Sequence, residues 1–407
     1  MVLKEFDPKL MRFLYFLATH QKKMNSVEVS REVKKEGWNL SDRTIRRWFR
    51  ILNEKREINY FMNLRYELFG IVPTFVLFYS NEKEKLSKII PTLAYGIRGI
   101  LLNSLKKVNL FQYAVPKNSV SDFKKFWFSA KKYRLIEDYI IYSHKTSITF
   151  YAPFDKIISE TGEIVLQEKD YAPDYFMSLY EKINKHQSKL NVNNYLLEYP
   201  ILVPILYSSF GENFSSKKVW MSLKKCSEKI WNFVPKKLLR HGQKDGIAIK
   251  YLQDVLKLIE ENKDKLFQQI RIGYRPFVEG KNNAYYLILK LKNENKLNEF
   301  IKDLHKRTIQ LQYMPPNKGN EHMFFIVTNE NKFLEIMYNT IPKYIDYNYE
   351  NKLILKEKDP NKNYYSKVDW TMFDPVKKEW IYEHEKYMKE LKKLAKEVRT
   401  KQPLKEP

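Results

Sequence analysis

Cysteine occurs once, as Cys226, and glycine only eleven times in 407 residues. One thiol excludes a disulfide framework and a cysteine-built zinc site. With so few glycines, no phosphate-cradling G-x-x-x-x-G-K-[ST] or G-x-G-x-x-G run is present. The seven histidines, His20, His144, His186 and His322 among them, are scattered without paired ligand spacing. No metal and no cofactor are therefore expected. Long apolar runs are missing too: "IVPTFVLFY" and "YPILVPILY" are short and contain proline, so no membrane span is expected. The opening "MVLKEFDPKL" is charged throughout and is not expected to act as a leader. With no catalytic constellation, the chain reads as a protein that is not an enzyme.

Positive charge is what the sequence has in excess. Lysine and arginine number 73 against 48 aspartates and glutamates, a formal net charge of +25. Such a charge favours a polyanionic partner, nucleic acid ahead of an anionic membrane surface. Hydrophobic residues make up 43%, enough at this length for two or three domains with proper cores. The expected location is the cytoplasm, on the nucleoid.

The N-terminal 60 residues read as three helices. The first covers roughly Asp7 to Thr19, with Pro8 at a favourable start and Leu10, Phe13, Leu14 and Leu17 on one side. The second begins at Asn25 or Ser26, with Glu28 placed as in a capping box, and stops at Gly37. The third lies in "LSDRTIRRWFRILNEKR", from Leu40 to Arg56, capped by Ser41 or Asp42. Wound at about 100° per residue, Arg43, Arg46, Arg47 and Arg50 fall on one stripe, and Ile45, Trp48, Phe49 and Leu52 on the opposite one. Two short helices, a glycine-led turn and a basic amphipathic helix describe a helix-turn-helix.

This segment resembles the archaeal and bacterial leucine-responsive (feast-famine, Lrp/AsnC) transcription regulators, whose recognition helix has a serine-led start, an "RTIRR"-like run and an "L-E-x-x-G-I" ending. Here the ending is "LNEKREI", Leu52 to Ile58, with Arg56 and Glu57 in place of the glycine turn. The resemblance implies that the helix N-terminus enters a major groove of double-stranded DNA. Ser41, Arg43, Thr44 and Arg47 would lie nearest the bases and flanking phosphates, and Arg46 and Arg50 would grip backbone or base edges.

The order of elements after residue 60 extends the likeness. "GIVPTFVLFYS" reads as a strand, "NEKEKLSKIIPTLAYG" as a helix to Pro91, "ILLNSLKKVNLFQYAVPKN" as two short strands and "SVSDFKKFWFSAKKYRL" as a helix. "IEDYIIYSHKTSITFY" reads as one long alternating strand. This is a β-α-β-β-α-β, ferredoxin-like order. It returns from "NAYYLILKLKN" (Asn283–Asn293) to "DYNYENKLILKEK", and the helix in "GIAIKYLQDVLKLIEENKDKLF" precedes it as the arginine helix precedes the first unit. The fold expected is α+β: an N-terminal winged or helix-turn-helix domain (1–60), a ferredoxin-like domain (61–170), a diverged helical module (190–270), a second ferredoxin-like domain (271–359), and a linker with a C-terminal helix (360–407). The second helical module lacks an arginine stripe and carries Asp254, Glu260 and Glu261. A second DNA contact is instead sought at Lys217, Lys218, Lys224, Lys225, Lys236, Lys237 and Arg240, for which a solvated lysine face is an equal alternative.

The family uses its ferredoxin-like units for dimerisation and often for ligand sensing, so a homodimer through these units and the C-terminal helix is a possible assembly. The glycine-bearing turns framing the family's amino-acid site are not recognisable, and no ligand is expected. The final helix, from about Val376 to Val398, would pack through Ile381, His384, Met388, Leu391, Ala395 and Val398. The resulting reading is a sequence-dependent double-stranded DNA-binding regulator of transcription. An architectural DNA-coating protein and a nucleic-acid-processing or replication-initiation protein are the alternatives.

Overall fold

The computed structural model of the chain describes residues 13, 16, 26–54, 58–80, 82–90, 93–145, 147–151, 199–208, 216–239, 244–262, 266–274, 282–356, 364–365 and 370–401. Helices α1 (Ser26–Lys35) and α2 (Asp42–Glu54) meet at a turn set by Gly37. Gly37 has a φ of 77°, and its N–H and that of Trp38 donate back to the Lys34 and Val33 carbonyls, closing a Schellman motif. Phe13 and Phe16, both helical and buried, pack on Trp48 and Trp38 at ring separations of 5.6 and 6.0 Å. The remainder of the first expected helix lies outside the described residues.

Strand β1 (Ile58–Leu64) follows, then β2 (Ile71–Phe78), α3 (Lys83–Ile89), β3 (Leu93–Leu101), β4 (Lys106–Pro116), α4 (Val120–Lys132), β5 (Tyr139–Ser143) and β6 (Ile148–Tyr151). Helices α5 (Leu202–Ser208), α6 (Ser216–Cys226) and α7 (Lys244–Glu261) lead to β7 (Phe267–Tyr274). The last part runs β8 (Asn282–Lys290), α8 (Leu297–His305), β9 (Gln310–Met314), β10 (Glu321–Asn329), α9 (Glu330–Glu335), a π turn at Ile336–Thr340, α10 (Ile341–Tyr344) and β11 (Lys352–Lys356). A short β12 (Tyr364–Tyr365), a hairpin of β13 (Phe373–Asp374) and β14 (Glu379–Trp380), and α11 (His384–Lys401) complete it.

The strands β5-β2-β4-β3-β11-β8-β10-β9-β6 form one curled antiparallel sheet, with β12 pairing to β3. The arrangement is α+β. Each of the two strand sets β5-β2-β4-β3 and β11-β8-β10-β9 has the spatial order of a β-α-β-β-α-β unit, with the first and third strands central. All eight residues of β2 are buried rather than alternating, because the sheet is covered on both sides. Val76 and Phe78 meet α3, α4 and α11, whereas Phe75 and Leu77 face an inner core shared with Tyr286, Ile288, Met314 and Met323 of the second set.

The two sets are joined at both edges. β3 pairs with β11 on one side, and on the other β6, continuing from β5, pairs with β9. The segment expected as one long strand is thus two strands serving opposite edges, broken at His144, which bridges to Pro316. The expected short strands within Ile100–Asn118 are also longer, since β3 already begins at Leu93. Gly99 is what permits the β3–β11 seam. A Cβ there would stand 2.6 Å from Ile354 Cγ2 and 2.8 Å from the Leu355 carbonyl oxygen. Gly99→Val is expected to lower stability by about 1–3 kcal/mol, read as a reduced urea midpoint.

The helices α5–α7 form a separate core around Trp220, Leu252 and Val255 that also takes in Phe69, Ile71, Trp370 and Trp380. The indole of Trp380 donates to the Phe69 carbonyl at 2.7 Å. The last residue of the helix expected after Gly246, Phe267, is instead the first of β7. The C-terminal helix starts at His384, because the residues before it are drawn into the β13–β14 hairpin. Its buried stripe is Tyr387, Leu391, Leu394 and Ala395, packed on α3 and α4 of the same chain. Ile381, expected in that stripe, is 44% exposed. Among the described residues no helix is long and apolar enough to cross a membrane.

Candidate nucleic-acid interface

Helix α2 separates its side chains as its sequence period requires. Ile45 is fully buried, Trp48 and Phe49 are half-buried, and Arg43, Arg46, Arg47 and Arg50 are all exposed. The four arginines and Asp42 line an open concavity of about 880 Å³. Among the described residues no ion pair is formed by Arg43 or Arg47, whereas the Arg46 charge acts on the Asp42 carboxylate. Guanidinium groups this close on one helix face repel one another, and an anion placed among them relieves that repulsion.

The N-terminus of α2 is held by its own sequence. Ser41 accepts from the Thr44 N–H at 3.1 Å, and its hydroxyl lies 2.9 Å from the Thr44 hydroxyl. Ser41 is therefore the cap of the helix, and both hydroxyls expected near DNA are already engaged with each other. The cap fixes the start of the arginine helix, as expected for Ser41.

Asp42 does more than the sequence suggested. It accepts hydrogen bonds from Ser30 and from Lys34, at 2.8 Å for the latter, so α1 and α2 are tied at a fixed angle. Ser30 and Lys34 stand one turn apart on α1, the only sequence signal of this tie. The Lys34 and Ser30 hydrogen bonds hold the Asp42 carboxyl below its usual range. A depressed carboxylate contributes stability above its unfolded value of 3.8 and loses it as pH falls through the lower folded value. An NMR titration is expected to place the Asp42 midpoint below 3.8, and Lys34→Ala to raise it. A midpoint unmoved by that substitution would remove the tie.

Within the second basic group, one member is engaged inside the fold. Lys224 is bound to Asp245, with an Nζ–Oδ2 distance of 3.0 Å, and sits over the Trp231 ring at 5.6 Å. That lysine braces α6 against α7, because Asp245 also accepts from the Trp220 indole. Lys217 and Lys225 are exposed on α6, and Lys236 and Lys237 are exposed side by side on a later 3-10 turn. The Lys218 side chain and Arg240 lie outside the described residues. On α7, Asp254, Glu260 and Glu261 are exposed, so its outward face has no counterpart to the arginine stripe.

A carboxylate–imidazole–phenol chain lies in the second strand set. His322 is within 2.8 Å of Glu294 and 2.9 Å of the Tyr313 hydroxyl. His322 and Tyr313 are 3% and 2% exposed, so this chain braces β9 against β10 from within the core.

No family model and no curated protein matches the chain. Among solved structures it is similar to the siroheme decarboxylase NirDL, at 11% identity and a TM-score of 0.44, over 96% of this chain and 99% of that one. The same decarboxylase in co-complex with an iron-uroporphyrin III analogue is similar at 12% identity and 0.41, over 94% and 98%. An anthrone oxidase-like protein is similar at 6% and 0.28, over 76% and 97%. The expectation of a non-enzyme is corrected on this finding, since the solved chain matched over nearly its whole length is a decarboxylase. A likeness at these scores carries no reaction over to this chain.

Proposed function

We propose that this chain binds double-stranded DNA with sequence preference and acts in transcriptional control, with α2 as the helix that enters the major groove. The observation that carries the reading is the exposed stripe of Arg43, Arg46, Arg47 and Arg50 above a buried stripe, on a helix whose start is capped and tied. Arginine suits both tasks there, forking onto guanine edges or onto phosphates. Phosphate neutralisation would supply most of the affinity, which should therefore fall steeply with salt.

In this reading the chain is a fused pseudo-dimer, a helix-turn-helix followed by a ferredoxin-like unit, repeated with divergence. Two features support it. The two strand sets share one spatial order, and β1, which follows α2, pairs antiparallel with β7, which follows α7. Because only α2 of these two helices presents an arginine stripe, the preferred site would be asymmetric rather than palindromic.

The test is to mix the purified protein with sheared genomic DNA from its own source at moderate salt and sequence what is retained. A few strongly enriched fragments sharing a motif would support the regulator. Uniform coverage would replace it with an architectural protein, and no retention at any salt would end the DNA reading.

A further inference from the structure

A second basic surface lies on the helical layer over β2 and β4, and the arginine helix does not account for it. α11 buries Tyr387, Leu391, Leu394 and Ala395 in the core it shares with α3 and α4. On its outward side Lys389, Lys392, Lys393 and Lys396 are all exposed. Their i, i+3, i+4, i+7 spacing gathers them into one stripe roughly 100° wide, opposite the buried one. Glu390 and Glu397 fall to one edge of that stripe. Among the described residues no carboxylate pairs with these four lysines, whereas Lys386 on the same helix is bound to Glu383 at 2.8 Å.

The neighbouring α4 presents Lys124 and Lys132 to solvent as well. The two helices pack together, with His384 at the start of α11 near Asp122 at the start of α4.

We propose that the outward faces of α11 and α4 form a second nucleic-acid contact, one that grips the phosphate backbone without reading bases. It extends the DNA-binding reading given above. Lysine is a point charge without the planar fork that selects a base edge, so a lysine stripe positions a backbone rather than choosing a sequence. From Lys389 to Lys396 the stripe runs about 10 Å at 1.5 Å per residue. A duplex presents about six phosphate charges over that length. An anionic membrane is the poorer occupant. A helix lying in a lipid surface needs an apolar face to insert, and that of α11 is already buried. Phe128 of α4, 62% exposed, is a lone aromatic.

The experiment uses the full chain with Lys389, Lys392, Lys393 and Lys396 all changed to glutamine. Binding of a 30-base-pair random-sequence duplex is measured by anisotropy across a potassium chloride series. The variant is expected to bind at least tenfold more weakly at low salt, with a slope of log affinity against log salt shallower by about two to four, near 0.9 for each lost phosphate contact. Acetylation of wild type, read by mass spectrometry, is expected to be reduced at the four lysines when the duplex is bound. An unchanged slope, or unprotected lysines, overturns the proposal. If Arg43→Ala/Arg47→Ala alone then removes binding, the regulator reading stands without it. The converse result, a lysine-dependent slope with those arginines dispensable, keeps this contact and removes that reading. Lysine-dependent binding to phosphatidylserine vesicles with none to the duplex overturns it in favour of a membrane.

Discussion

Replacing Arg43 and Arg47 together by alanine is expected to abolish the preference for a target site over random DNA. The loss should be about 1–3 kcal/mol for each base contact removed, so the two substitutions together reach about thirtyfold or more. The fold should survive. Both side chains are exposed, and among the described residues neither pairs with a carboxylate, so their removal strands no described buried partner. Ile45 still anchors the helix, and Ser41 still caps it. Surface substitutions of this kind normally change stability by less than about 0.5 kcal/mol. The comparison is made by competition between the enriched fragment and a random duplex, with helix content checked by circular dichroism. A folded double variant that keeps its preference would take the recognition role away from α2. Changing exposed Asp254 and Glu260 on α7 should leave affinity intact, which guards against a general charge effect.

Acidification from pH 6.5 to about 4 is expected to destabilise the chain substantially, through His144. This ring is 2% exposed, stacked on Phe75 at 5.3 Å, and burial pulls its pKa from 6.5 down to about 4. Its Nδ1–H donates to the Lys145 carbonyl, and Nε2 then accepts from the Gln112 amide at 3.3 Å. A proton on Nε2 would face that amide donor inside a closed core. The sign follows from proton uptake. Below pH 6.5 the unfolded histidine binds a proton that the folded one refuses, so stability falls with pH until the folded ring titrates near 4. A shift of that size corresponds to about 3 kcal/mol for a fully buried group. His305 is drawn to about 4 by burial as well, but it is only half-buried and should add less. Urea unfolding at pH 7, 5.5 and 4.5 measures the decline. His144→Gln is expected to flatten it; an equal decline in that variant would assign the acid sensitivity elsewhere.

The arginine helix was legible in the sequence because it rests on local terms. A 3.6-residue period, a serine before the first turn and a glycine after the preceding helix each act within a few residues. The α+β class and most strands were legible for the same reason. Features whose partners are distant in sequence were not legible there. "IEDYIIYSHKTSITFY" alternates like one strand throughout, and only pairing with β2 on one side and β9 on the other divides it at His144. The Asp42 tie was invisible because it needs Ser30 and Lys34 brought up by the Gly37 turn. Lys224, one member of a basic run, is neutralised by Asp245 from another helix. The frame of α11 depends on its start at His384, which the β13–β14 hairpin sets by drawing in the residues before it and leaving Ile381 exposed.

The sequence by itself determined the net charge, the separation of arginines from apolar residues on α2, and the order of helices and strands, since composition and short-range periodicity suffice for these. The tertiary structure alone decided that the two strand sets close on each other at both edges, through Gly99 against Ile354 and through β6 against β9. It also decided which cations remain unneutralised. Edge pairing and charge neutralisation are made between residues far apart in the chain, and no local pattern of side chains encodes the partner.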